Sequence, residues 1–264
     1  SLGMKCVGIK NDINKDLKFD CDLVIDCTKK DVLGKVNSVE SMGLVDGPGI
    51  RYVVFLQGCM LRCKYCHNPE TWEIDGKSEL ISAKKLVDKA EKFKAYYGEE
   101  GGMTFSGGEP LLQPQFLLEC LKECKEKGLN TALDTAGVGF GDYDEILDYV
   151  DLVILDIKAV DKDEYKDLTG QPMDRFENFL AQAIKKKKRF WLRQVIVPGI
   201  NDDEEHVKAL KKFADGVPNV EKVELLPYKT IGVMKYKDLG IKYRLEGVPD
   251  MDEEKCDKLA LLLK

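Results

Sequence analysis

From about residue 51 onward the chain repeats one pattern six times: a short β-rich run, then a longer helical one. The β-rich runs span 52–57, 102–106, 131–134, 152–157, 190–197 and 221–227. The helical stretches lie near 82–97, 113–127, 142–149, 174–188, 203–215 and 252–263. A helix between two strands carries the chain back to its starting edge, so consecutive strands run parallel. The run Leu152–Ile157 is apolar on both faces until Asp156, as expected of a strand covered on both sides. Eight such units close a TIM barrel; six predict an incomplete, TIM-like (β/α)6 barrel with an open side. In either form functional groups collect at the C-terminal ends of the strands. That rule selects Gln57–Cys59, Ser106–Glu109, Asp134–Thr135, Asp156–Lys158, Pro198 and Tyr228–Lys229.

Local signals agree with this division. Ser82 is placed to cap the first helix, and Asp202–Glu205 puts negative charge at the positive end of the fifth. Lys185–Lys188 falls at the opposite end of its helix, which a solvated terminus explains better than a nucleic-acid patch does. The charge balance points the same way: 41 Lys and Arg against 47 Asp and Glu leave −6, and phosphate binding needs a basic surface. No apolar run reaches the roughly 18 residues of a membrane span. Charges scattered through positions 10–31 do not suit a signal peptide, so the expected compartment is the cytoplasm. Residues 1–34 stand apart, charged and with one β-like run at Asp22–Asp26. A small appended hairpin, strand or partly ordered arm without catalytic residues is expected there, with the catalytic domain over 35–264. Ser1-Leu2-Gly3 ahead of Met4 reads as a cloning remnant.

Nine cysteines in a reducing compartment direct attention to metal or redox chemistry rather than to disulfides. Cys120 and Cys124, four apart in a helical stretch, read as core packing. Cys59, Cys63 and Cys66 fall within eight residues. As one helical stripe they would be plain core, but Gly58 before them and Pro69 after them frame a loop. Zinc would need adjacent Cys66 and His67 on one tetrahedral ion, with no second ligand pair in view. A c-type haem would use Cys63–His67 but requires export and leaves Cys59 unexplained. A [4Fe–4S] cluster with three thiolates fits best, because it keeps one iron open, as catalytic metal sites do.

The spacing C-x3-C-x2-C is the signature of the radical S-adenosylmethionine (SAM) superfamily, and further motifs follow in order. Ser38-Val-Glu-Ser, Asp46-Gly-Pro-Gly-Ile-Arg51, Gln57-Gly-Cys59, Tyr65-Cys-His-Asn68, Ser106-Gly-Gly-Glu109, Leu133-Asp-Thr135, Leu155-Asp-Ile-Lys158, Val197-Pro-Gly199 and Leu225-Leu-Pro-Tyr228 resemble the activating enzymes of pyruvate formate-lyase. The resemblance spans about residues 35–264. It implies a [4Fe–4S] cluster on Cys59, Cys63 and Cys66, with S-adenosylmethionine bound at the open iron. It also implies cofactor contacts from Tyr65, Cys66, His67, Asn68, Gly107, Gly108, Glu109, Asp134, Asp156, Ile157, Lys158 and Arg193. Glu109 equally suits the start of a helix at Pro110. Asp134, Thr135 and Asp156 match a monovalent-cation site. Lys229 is counted among the cofactor contacts and stands where some relatives have histidine. Asp46, Gly47, Pro48, Gly49 and Arg51 resemble a segment that contacts the partner protein, although Asp-Gly-Pro-Gly is also a good turn.

The implied reaction takes one electron from flavodoxin or ferredoxin and ends with a hydrogen abstracted from a glycine Cα of pyruvate formate-lyase or a related glycyl-radical enzyme. A monomer is expected, without membrane or nucleic-acid partners. An activator of another glycyl-radical enzyme, an iron–sulfur electron-transfer protein and a zinc-stabilised module are the alternatives.

Overall fold

A computed structural model describes residues 31–263. The run Asp22–Asp26, Cys6, Cys21, Cys27 and most of the expected N-terminal arm lie outside the described residues. One eight-stranded sheet organises the rest, in the order β3-β1-β2-β4-β5-β6-β7-β8. The strands are β1 Leu33–Gly43, β2 Arg51–Leu56, β3 Glu79–Ser82, β4 Gly102–Gly107, β5 Asn130–Thr135, β6 Leu152–Asp156, β7 Arg189–Ile196 and β8 Val220–Pro227. From β2 through β4 to β8 every neighbouring pair is parallel. These are the six expected strands. The sheet stays open, as an incomplete barrel does.

Two further strands were not anticipated. β1 pairs antiparallel with β2, and β3 pairs antiparallel with β1, extending one edge. Two register shifts interrupt the β1–β2 ladder, and each shift breaks the period-2 alternation by which a strand is recognised in sequence. β1 begins at Leu33, so it runs across residue 34.

The helices are α1 Ala83–Glu91, α2 Pro114–Glu126, α3 Asp144–Asp148, α4 Lys162–Thr169, α5 Asp174–Lys185, α6 Glu204–Asp215, α7 Val233–Asp238 and α8 Glu253–Ala260. α4 and α7 were not foreseen; both are short and dense in charge. Ser82 Oγ accepts from Lys85 N, and Asp203 Oδ1 accepts from His206 N at 2.9 Å, so both caps form. The lysine run after α5 serves neighbouring structure: Lys186 pairs with Asp144 and Asp148, and Lys188 donates to the Val150 carbonyl. Among the described residues no helix is long and apolar enough to cross a membrane.

Alternation along the strands separates two faces. Val153 and Leu155 of β6 join the main core, together with buried Cys120 and Cys124 of α2. Leu152 and Ile154 form a second cluster with Ala132 and half-buried Trp191 on the other face. Further along that face, at the C-terminal ends, the apolar residues give way to Asp134, Asp156 and Arg193. Asp156 and Arg193 stand directly opposite in the β6–β7 register. The sheet thus carries a charged cluster where β5, β6 and β7 end.

Candidate active site

The loop after β2 is held at several points. Gln57, fully buried, donates through Nε2 to the carbonyls of Glu70 (2.8 Å) and Glu73 (2.7 Å), and its Oε1 accepts from Asn37. Gly58 N donates to Thr71 O and Cys59 N to Trp72 O, closing the loop on itself. Arg62 N and Lys64 N donate to the carbonyls of Thr169 and Leu168 at the end of α4. Satisfying the backbone in this way leaves the three cysteine side chains free to face one cavity.

That cavity encloses about 750 Å³, part of it continuous with solvent, and Cys59, Cys63 and Cys66 line it. So do Tyr65, His67 and Asn68 on the same loop, Gly107 and Gly108 at the end of β4, and Asp134, Thr135, Asp156 and Lys158. Burial, reinforced by neighbouring Cys63, drives the Cys59 thiol well above its usual value. Burial pushes Cys63 up to about 11 and raises Cys66 too. Thiols in such a place become ligands only when a positive metal centre stabilises their anions. Among the described residues no three His, Cys, Asp or Glu side chains are close enough to hold a single ion. An iron–sulfur cluster takes thiolates from around a cavity, which is how Cys59, Cys63 and Cys66 are arranged. The Tyr65 hydroxyl, buried in the same wall, has no hydrogen-bond partner. The residues present fit a cluster together with a polar ligand.

Backbone shape sets the opposite wall. Gly107 adopts φ +118°, and a Cβ there would stand 2.2 Å from Leu56 N; a Cβ on Gly108 would stand 2.2 Å from Gly58 O. Glycine at both positions lets β4 close on the loop that carries Cys59.

The charged cluster supplies the remaining wall. Asp134 accepts from Ser106 Oγ at 2.6 Å and from Arg193 Nη2 at 2.5 Å. Asp156 accepts from Lys158 Nζ at 2.9 Å and lies 3.9 Å from Arg193 Nε. Burial opposes ionisation of Asp156, but Lys158 and then Arg193 hold it below the usual carboxylate range. Arg193 is buried too, yet Asp134 and Asp156 together hold its charge more tightly than water would. Lys158 Nζ sits 5.6 Å from the Tyr65 ring centroid, a cation–π contact that fixes the aromatic. Asp46 joins from the segment between β1 and β2. Burial, then the Asp134 charge, pushes it up to about 6 although Arg193 pulls the other way.

Several expected residues are placed elsewhere. Glu109 is fully buried and caps the turn after it: Oε1 accepts from Leu111 N and Thr135 Oγ1, and Oε2 from Ala136 N. Its carboxylate does not line the cavity. Thr135 therefore faces Glu109, while Asp134 and Asp156 take Arg193 and Lys158 as countercharges, so the three expected cation ligands do not form one set. Ile157 packs into the core with its N–H on the Arg193 carbonyl. The Lys229 side chain turns outward to Glu253; only its carbonyl reaches the site, accepting from His67 Nε2 at 2.8 Å. Asp46 O accepts from Thr104 Oγ1, and Gly49 is exposed. Gly47 is buried and Pro48 half-buried. Arg51 has no exposed surface; its guanidinium bonds Thr104, Asn130 and the carbonyls of Glu100 and Met103. Leu61, Ala136 and Val195 also line the cavity. Strand alternation from Arg193 finds Val195, two residues on; the other two carry no sequence signal.

Residues 53–210 match the Radical SAM superfamily. The pyruvate formate-lyase-activating enzyme of Clostridium pasteurianum is 53% identical over 234 residues, 88% of this chain and 98% of that protein. The enzyme of the same name from Staphylococcus epidermidis is 45% identical over 229 residues, 84% of this chain and 91% of that one. Among solved structures, a domain of a pyruvate-formate lyase-activating enzyme from Bacteroides vulgatus superposes with a TM-score of 0.50 at 25% identity, covering 62% of this chain and 92% of that one. A radical SAM methyltransferase from Sphaerobacter thermophilus shares the fold at a TM-score of 0.56 and 15% identity, covering 81% of this chain and 63% of that one.

Proposed function

Since the chain belongs to the radical SAM superfamily, we propose that it is the activase of pyruvate formate-lyase, abstracting a hydrogen from one glycine Cα of that enzyme. The observation that carries this reading is the convergence of Cys59, Cys63 and Cys66 on one cavity walled by Gly107 and Gly108. The chemistry supplied by a bound [4Fe–4S] cluster and S-adenosylmethionine is one-electron cleavage of the sulfonium to methionine and a hydrogen-abstracting 5′-deoxyadenosyl radical.

The chain's own residues bind, orient and exclude. Cys59, Cys63 and Cys66 hold the cluster. Tyr65, pinned by Lys158, presents an aromatic face to the nucleoside, with His67 and Asn68 beside it. Gly107 and Gly108, closed against Leu56 and Gly58, present their backbone to the ligand. Asp134 and Asp156, fixed by Arg193 and Lys158, present carboxylate oxygens to its hydroxyl and ammonium groups. The buried Glu109 shapes the wall by tying the turn after β4 to β5. The Asp46 segment, on the strand face that bears the charged cluster, is where the partner's glycine loop approaches. A small electron carrier, flavodoxin or ferredoxin, supplies the electron, and the chain works as a cytoplasmic monomer.

Anaerobic reconstitution tests the reading. The expected protein is brown, holds about four irons, and cleaves S-adenosylmethionine once reduced. Mixed with pyruvate formate-lyase it gives a glycyl-radical signal by electron paramagnetic resonance. Cofactor cleavage without any radical on that partner would overturn the substrate assignment, and a colourless zinc protein would overturn the whole reading.

A further inference from the structure

Residues 229–244 carry Lys229, Lys235, Lys237, Lys242 and Arg244 against Asp238 alone, in a chain whose net charge is −6. Three large apolar side chains within the same stretch face solvent: Ile231 is 77% exposed, Met234 61% and Leu239 47%. Monomeric surfaces rarely cluster large apolar groups inside a ring of one charge unless something docks there. Lys229 and Lys235 are paired with Glu253 and Glu70. Lys237, Lys242 and Arg244 are exposed and form no ion pair among the described residues.

This stretch packs directly on the back of the cysteine loop. Tyr236 Oη donates to the Cys66 carbonyl at 3.0 Å. Gly232 lies so close to His67 that a Cβ on it would stand 2.8 Å from the His67 Cα. The Tyr236 ring meets Trp72 edge-on at 5.7 Å and Tyr243 at 4.7 Å. None of residues 230–244 lines the cavity itself. The segment is therefore one layer of side chains from Cys66 without bordering the cavity.

We propose that the α7 segment, centred on Ile231, Met234 and Leu239 and rimmed by Lys237 and Lys242, is the docking surface for an acidic one-electron carrier protein. The inference rests on the cluster assigned above to Cys59, Cys63 and Cys66. Two features select the occupant. A basic rim attracts the acidic face of a partner, whereas two copies meeting through this same patch would set like charges against each other. An electron needs only proximity to the cysteine loop, whereas a glycine that gives up hydrogen must enter the cavity, which this surface does not border. One electron leaves the reduced carrier and is accepted at the cluster, and no bond forms or breaks across the interface. Of the nearby carboxylates, Glu70, Glu73 and Asp75 are paired with Lys235, Arg62 and Lys35, and Asp250 accepts from Thr230 N at the Ile231 end; exposed Asp238 and Glu246 stand against Lys237, Lys242 and Arg244.

The test follows cluster reduction in stopped flow by absorbance bleaching, with reduced flavodoxin as the probe. Three forms are compared: wild type, the double variant K237E/K242E, and Met234→Glu. The expected result is a second-order rate lowered about tenfold or more in the double variant at low salt, with a flattened dependence on ionic strength. Met234→Glu should slow the reaction at all salt concentrations. Reduction by dithionite and the ensuing cofactor cleavage should be unchanged in every form. Carrier rates equal to wild type would overturn the proposal, as would an equal loss with dithionite, which would mark a structural defect. Binding to pyruvate formate-lyase lost in place of carrier reduction would reassign the surface to that partner. If wild type reduced by dithionite cleaves no S-adenosylmethionine, the functional reading itself fails.

Discussion

Replacing Arg193 by methionine keeps most of the side-chain volume and removes the charge that Asp134 and Asp156 share. The pair is well buried, with side-chain exposures of 9% for Arg193 and 12% for Asp134. Breaking a buried pair by removing one partner costs about 3–5 kcal/mol, because the remaining charge is stranded. For a chain of this size that predicts a melting temperature about 6–20 °C lower near pH 8. The deficit should depend on pH, and its sign follows from two groups. Asp46 already sits at about 6, above its ordinary value of 3.8, and Arg193 pulls it down. Without Arg193 it rises further, so the folded state takes up a proton and gains stability as pH falls from 8 toward 5. Asp156 is held below the ordinary range by Lys158 and then Arg193. Its contribution is present above its unfolded pKa and lost as pH falls through the folded value, so the variant forfeits part of it chiefly at high pH. Both effects make the variant's deficit largest at pH 8 and smaller at pH 5.5. Thermal unfolding of metal-free protein by circular dichroism at the two pH values measures this directly. Adding Asp134→Leu to Arg193→Met should recover more than half of the loss, since no charge is then stranded on that arm. A pH-independent deficit, or one below about 1 kcal/mol, would refute the reasoning.

Alanine at Cys59, Cys63 or Cys66 should abolish iron retention after reconstitution. Alanine at Cys120 or Cys124 should leave iron content intact and lower stability by about 1–2 kcal/mol through lost core packing, both readable from iron analysis and melting curves. Gly108→Ala drives a Cβ to 2.2 Å from Gly58 O; the backbone must shift, costing about 1–3 kcal/mol and displacing the loop that bears Cys59. Equilibrium binding should show weakened S-adenosylmethionine affinity in that variant, and wild-type affinity would count against the wall described. Lys229→Ala should leave cofactor affinity within threefold of wild type, since its side chain pairs outward with Glu253; a tenfold loss measured by calorimetry would contradict that placement. Burial raises Glu109 to about 7 from 4.5, so wild-type stability should fall as pH rises through 7, and Glu109→Gln should flatten that slope in denaturant titrations.

The parallel strands were legible because each is an apolar run bounded by turn residues, and Asp156 marked where the buried part of β6 ends. β1 was not, because its register shifts and its exposed Val39 and Met42 erase the alternation. The cysteine loop was legible from spacing alone, since a metal cluster imposes ligand chemistry that packing does not. Side-chain direction was the weak point. Glu109 and Lys229 both stand at strand ends, where functional groups collect, yet one turns into a backbone cap and the other toward α8. Arg51, expected at a partner surface, begins β2, and its guanidinium satisfies four acceptors inside the fold. No spacing rule separates a residue at a strand end that faces the cavity from one that faces its own turn; neighbours from distant elements decide it. The basic segment around α7 was missed because its charges are spread over 16 residues, and only its packing on His67 and Cys66 gives it position.

The charge count of the site suggests why the fold tolerates a cluster that costs stability. Asp46, Asp134 and Asp156 face Arg193 and Lys158, three carboxylates against two cations. With Asp46 at about 6, most of its population is ionised at neutral pH, so the group as a whole is negative. Buried carboxylates without full compensation lower the stability of the empty protein. The same imbalance attracts a ligand that brings positive charge, and S-adenosylmethionine carries both a sulfonium and an ammonium. Arg193 and Lys158 limit the imbalance by fixing Asp134 and Asp156, while Asp46, on the segment between β1 and β2 and without an ion pair among the described residues, is left to respond. Binding a cation would pull the Asp46 pKa back down and release the proton from the fraction still protonated. Ligand binding and the charge state of the segment between β1 and β2 are thereby linked through one carboxylate.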